Sequence, residues 1–133
     1  MFTNRILVVT DNPETSRWMS DTLGLYGDVV DTVPDGARAF QRVWEAGYDV
    51  IIAELGMRGV DGRDLYMALQ NTWPELTRHM IFLAAEPTST QERFVVRTGA
   101  MLLRGALNLP DLRDAISAVR TDRTLVRAAT AIA

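Results

Sequence analysis

Short apolar bursts alternate with helix-period segments five times along the chain, beginning almost at the N-terminus. The bursts Ile6 to Val9, Val29 to Val33, Val50 to Ala53, Met80 to Ala84 and Met101 to Leu103 read as strands. Their lengths suit strands, and three are solidly apolar, as strands buried on both faces must be. Helices are expected between them. The first opens at Asn12-Pro13-Glu14, where Asn can cap, Pro fits the first helical position and Glu complements the helix dipole. It carries Trp18, Met19 and Leu23. The second carries Ala37, Phe40, Val43 and Trp44 and ends near Gly47; the third carries Leu65, Ala68 and Leu69 and gives way before Pro74. The fourth runs through Phe94 and Val95 to Gly99, and the fifth starts after Pro110 with Leu112, Ile116 and Val119 on one face. Strict alternation of this kind predicts an α/β domain of three layers, a doubly wound five-stranded parallel sheet in the order 2-1-3-4-5. Residues 1–122 form that single domain; the tail 123–133 is rich in helix formers and either prolongs the last helix or frays.

Composition narrows the chemistry. The 133 residues are 47% apolar and 23% charged, a globular balance with enough chain for one core. No apolar run approaches a membrane span, and no leader pattern is visible, so a cytoplasmic location without membrane contact is the expectation. A net charge of −3 argues against a nucleic-acid surface. The chain has no cysteine, a single histidine and no lysine. Thiolate chemistry and histidine-rich metal cages are thereby excluded, and His79, just before an apolar run, reads as a strand-edge residue.

In sheets of this kind the functional crevice lies beyond the carboxyl ends of the strands. Those ends carry Thr10 and Asp11, Glu54, Ala84 and Ala85, and Arg104 and Gly105. Strands one and three are neighbours in the expected order, so the carboxylates of Asp11 and Glu54 are expected to face each other. Glu86 and Asp61 lie nearby but read as a solvated loop charge and a turn with a helix cap. The tryptophans read as core or helix-face residues. A flavin or dinucleotide site finds no phosphate loop, since VVTDNPE follows strand one and no G-x-G-x-x-G occurs.

The segments VVTDNPE, IIAELGMRGVDG, IFLAAE and TGAMLLRGAL, in this order and spacing, resemble the receiver domains of bacterial two-component signalling, over about residues 4–120. That resemblance implies the flavodoxin-like (CheY-like) fold. In the family pattern, Asp11 matches the second acid after strand one, and Gly59, Asp61 and Gly62 match the loop after strand three. The phosphoacceptor position falls on Glu54, the first acid on Thr10, the switch hydroxyl on Ala84 and the loop proline on Arg58. The aromatic switch position falls on Leu102, and the lysine and proline after strand five fall on Gly105 and Ala106. Within the family, the stretch from VDGRDLYMALQNTWPEL onward is most similar to C-terminal receivers of hybrid sensor kinases.

Family receivers use Mg²⁺, lysine and a hydroxyl to stabilise the charge of phosphoryl transfer. Here Asp11, Glu54 and the Gly56 carbonyl offer Mg²⁺ a weak site at best, so no firmly held cofactor is expected. Glu54 displaces its carboxylate by about 1.5 Å, one carbon-carbon bond, and such misplacement can cost about a hundredfold in a positioned reaction. Arg58 or Arg104 could lend charge, but a guanidinium is no substitute for a compact ammonium. The expectation is a non-enzymatic, unphosphorylated receiver acting through a protein partner, either a sensor kinase or a downstream signalling protein. Homodimerisation through the fourth helix, fifth strand and fifth helix fits the same resemblance; Leu102, Leu103 and Leu107 read mostly as core, and any of them left exposed would form a patch rimmed by Arg97, Arg104 and Arg113. The alternatives are a working Mg²⁺-dependent phosphoacceptor at Glu54 and a permanently phosphomimetic regulator.

Overall fold

A computed structural model describes the backbone of residues 3–132 and the side chains of residues 3–120. Five strands, β1 (Arg5–Val9), β2 (Val29–Val33), β3 (Val50–Glu54), β4 (Met80–Ala84) and β5 (Met101–Arg104), form one parallel sheet in the order β2-β1-β3-β4-β5. Five helices, α1 (Pro13–Gly24), α2 (Gly36–Glu45), α3 (Gly62–Thr72), α4 (Ser89–Thr98) and α5 (Leu109–Ile132), cover it, with a 3₁₀ segment at Pro74–His79. The expected strand order and all five expected helices are therefore present. The backbone of α5 runs through the tail to Ile132, and the side chains of 121–133 lie outside the described residues.

The two-residue strand period explains why both faces are apolar. Leu7, Val9, Ile51, Ala53, Met80 and Phe82 point to one side, where Leu65, Leu69, Phe94 and Val95 of α3 and α4 meet them. Ile6, Val8, Val50, Ile52, Ile81 and Leu83 point to the other, against Met19 and Leu23 of α1 and Leu112, Ile116 and Val119 of α5. Tyr66, Phe82 and Phe94 meet with ring centroids 5.3 to 6.1 Å apart, which holds α3 and α4 against β4.

Helix ends follow local chemistry. Asn12 caps α1 by accepting from the amides of Glu14 and Thr15. Asp61 and Asp64 form a capping box at α3, and Thr88 and Gln91 form another at α4. Gly99 ends α4 at a left-handed φ of 70°, a conformation glycine adopts without a Cβ clash. The fifth helix starts at Leu109 rather than after Pro110, because Asn108 accepts from the Asp111 amide and sets the first turn earlier. His79 is buried at the entrance to β4. Trp44 is exposed but packs edge-on against Trp73, with centroids 4.4 Å apart.

Two polar knots lie away from the carboxyl ends of the strands. The buried Asp28 carboxylate accepts from Asn4 and pairs with Arg113 at 2.7 Å. Asp31 on β2 accepts from the Tyr48 hydroxyl at 2.7 Å and pairs with Arg42 at 2.9 Å. The Tyr48 hydrogen bond, reinforced by Arg42, holds the Asp31 carboxyl below its ordinary range, while burial pushes the Tyr48 phenol up.

Candidate functional site

The register of β1 on β3 pairs Val9 with Ala53, so the next residues, Thr10 and Glu54, stand side by side at the sheet's carboxyl edge. Thr10 is buried and Glu54 half-buried. The Thr10 hydroxyl donates to Glu54 Oε1 at 2.6 Å and accepts from the Asn12 amide at 3.1 Å. One oxygen of Glu54 is thus tethered to β1, through a hydroxyl that α1's capping residue also holds. Glu54 Oε2 has no hydrogen-bond partner among the described residues.

Among the described residues no hydrogen bond joins Asp11 to this pair. Asp11 is exposed and lines a separate hollow of about 220 Å³ with Ser16, Thr32 and Pro34 above β2, whereas Glu54 opens onto a larger cavity on the α1–α5 side. Among the described residues, no group of three or more histidine or carboxylate side chains converges. Gly56, the third proposed donor, is exposed at a φ of 82°, and the Gln91 side chain of α4 leans over it.

The cavity beside Glu54 holds about 570 Å³. It is lined by Trp18, Leu83, Leu103 and Leu107 together with the small residues Ala84, Ala85 and Gly105. Ala84, at the switch-hydroxyl position, is half-buried and offers only a methyl group. Gly105, at the lysine position, is exposed; its amide donates to the carbonyls of Ala84 at 3.3 Å and Ala85 at 3.1 Å. Its φ is 73°, so a lysine placed there would meet strain of about 1 kcal/mol or more. Leu102 is half-buried on the opposite face, packed against the α3 and α4 apolar side chains.

Neighbouring charges are committed elsewhere. Arg104 forms a bidentate pair with Glu92 of α4, at 2.8 and 2.7 Å, and does not line the Glu54 cavity. Arg113 belongs to the Asp28 knot and stacks over Tyr26, so it cannot rim a patch with Arg97 and Arg104 as expected. Glu86 is exposed in its loop and Asp61 caps α3, in keeping with their readings as loop charge and cap. Gly62, the first residue of α3, touches β3: a Cβ there would lie 2.6 Å from the Glu54 carbonyl oxygen. Sequence reasoning missed two parts of the site. Trp18 packs against the core on the α1–α5 side, within its reading as a core or helix-face residue, but its place on the cavity was missed, and so was the Thr10–Glu54 bond. The strand register and the extra reach of Glu over Asp would have signalled that bond.

The fold and this edge can be set beside known proteins. Residues 6–117 match the family described as the response regulator receiver domain. The two-component response regulator PhoP of Pseudomonas aeruginosa is 37% identical over 67 residues, covering 50% of this chain and 30% of that protein. The gliding motility regulatory protein of Myxococcus xanthus is 27% identical over 115 residues, covering 84% of this chain but 15% of that protein. The chain thus spans less than a third of either relative. Among solved structures, the chemotaxis protein CheY4 of Vibrio cholerae superimposes with a TM-score of 0.78 at 23% identity, covering 89% of this chain and 99% of that one. The receiver domain of a signal transduction histidine kinase from Syntrophus aciditrophicus gives 0.80 at 20% identity, covering 90% and 92%. At these identities the structures attest the fold, and the family match over most of the chain decides the rest: this protein belongs to the response regulator receiver domain family.

Proposed function

We propose that this receiver works in two-component signal transduction without being phosphorylated and without enzymatic activity, through contacts with a protein partner. The observation that carries the reading is the 2.6 Å hydrogen bond from Thr10 to Glu54. Phosphoryl transfer needs an acceptor oxygen held at the right distance, gathered cations and donors aimed at the developing charge. Here the acceptor-position carboxylate is lengthened and tied to β1, Asp11 opens onto another hollow, and the positions for lysine and hydroxyl carry Gly105 and Ala84. This donor set offers Mg²⁺ a weak site at best.

A phosphomimetic role for Glu54 has less support, because the positions that would relay its charge are an alanine methyl and the packed Leu102. The α4–β5–α5 face is the surface we assign to a partner, a sensor kinase or a downstream signalling protein, or to a second copy of the chain. Val96 stands exposed on α4 there, next to Arg97, and the Glu92–Arg104 pair braces α4 on β5.

The TrrA response regulator of Thermotoga maritima is described in complex with Mg²⁺ and beryllium fluoride. The corresponding test here is an amide NMR spectrum with and without Mg²⁺ and beryllium fluoride. The reading predicts unmoved resonances for Thr10, Glu54, Ala84 and Leu102. Saturable shifts at these four would overturn it.

A further inference from the structure

The charged groups on the cavity beside Glu54 are of one sign. At about 570 Å³ the cavity falls within the range of pockets that enclose small organic ligands, roughly 300–1,000 Å³. The two charged residues on its wall, Glu14 and Glu54, are both carboxylates. Glu54 Oε1 is occupied by Thr10, which fixes the side chain, while Oε2 is left without a protein partner among the described residues. No lysine exists in the chain to reach it, and the nearby Arg104 is held by both oxygens of Glu92. Trp18 supplies an aromatic wall of the kind that attracts cations, and Leu83, Leu103 and Leu107 supply apolar surface. The small residues Ala84, Ala85 and Gly105 also line it and take up little of its space.

We propose that this cavity binds a small organic cation, a primary amine carried on an aromatic or branched apolar body. The ammonium donates to Glu54 Oε2, and the body lies between Trp18 and the leucines. An ammonium suits the site because it is a donor without acceptors, matching an acceptor-only carboxylate. An anion would meet two carboxylates, and a neutral alcohol would lose the charge assistance. The inference does not depend on whether the protein is phosphorylated, since the binding measurement contains no phosphodonor.

The test is a titration of the whole chain followed by amide and indole NMR, with 2-phenylethylamine as the probe and 2-phenylethanol and phenylacetate as matched controls. The expected result is saturable shifts at Thr10, the Trp18 indole, Leu103 and Gly105 with the amine. Its affinity should exceed the alcohol's by about tenfold, the size of one charge-assisted hydrogen bond, and phenylacetate should not bind. Glu54→Gln, nearly the same shape, should remove about the same factor, and Trp18→Leu should weaken the amine more than the alcohol. Nα-acetyl-lysinamide, which carries the side chain a partner protein would insert, should bind more weakly than the amine. Equal binding of amine and alcohol would overturn the proposal, as would shifts confined to other surfaces or no saturable shift at all. Tighter binding of the lysine amide would overturn the assignment to a free small molecule.

Discussion

Replacing Thr10 with valine removes a hydroxyl while keeping the shape of the side chain, so it isolates the bond on which the site is built. Two interactions go: the 2.6 Å donation to Glu54 Oε1 and the 3.1 Å acceptance from the Asn12 amide. A hydrogen bond to a charged group contributes about 1.5–3 kcal/mol and a neutral one about 0.5–1.5 kcal/mol. Glu54 is half-buried and borders an open cavity, so water replaces part of what it loses. The net cost should therefore be about 2 kcal/mol, the lower part of the summed range. Urea denaturation followed by circular dichroism should show a midpoint lowered by about 1 M with an unchanged slope. A cycle with Glu54→Ala should give a coupling energy of about 1 kcal/mol between the two positions, as expected for side chains in direct contact. If Thr10→Val is as stable as wild type and the coupling is zero, the tether does not hold Glu54, and the reasoning about a committed carboxylate fails.

Other consequences can be checked on the same footing. Gly62→Ala places a Cβ 2.6 Å from the Glu54 carbonyl oxygen, so it should cost about 1–3 kcal/mol in urea melts and shift the amide resonances of Leu55 and the first turn of α3. Arg113→Met leaves the buried Asp28 carboxylate with Asn4 alone and should cost about 3 kcal/mol in the same assay. The Tyr48 and Arg42 contacts lower the pKa of Asp31 in the folded protein, so their stabilisation is present above the unfolded carboxylate value of about 4 and is lost as pH falls through the folded value. Chemical melts from pH 7 downward should accordingly show wild type losing more stability below about pH 4 than Asp31→Asn, which has no carboxylate to protonate.

The sheet was legible because β1, β3 and β4 lie inside the molecule and bury both faces, so their residues are apolar whichever way they point. Caps were legible for a local reason: Asn12 and Gly99 act within one turn of their own helices. The site was only half legible. Family spacing placed Glu54, Ala84 and Gly105 at one edge, and the structure does bring them to one cavity. The spacing did not show that Asp11 also borders a second hollow with Thr32 and Pro34, because that depends on where β2 ends. Trp18 was ambiguous from its helical spacing alone, since a position between the core face and solvent is also one that can wall a cavity. Arg113 likewise gave no sign of its partner, which lies 85 residues away in sequence.

The most direct test of an unphosphorylated receiver is the intact mass of the protein after incubation with Mg²⁺ and acetyl phosphate, measured beside a variant carrying Glu54→Asp and Ala84→Thr. A wild-type mass that does not change, whatever the variant does, is the predicted result. A phosphoryl group gained by the wild-type chain would contradict the account at its centre and make Glu54 or Asp11 a working acceptor.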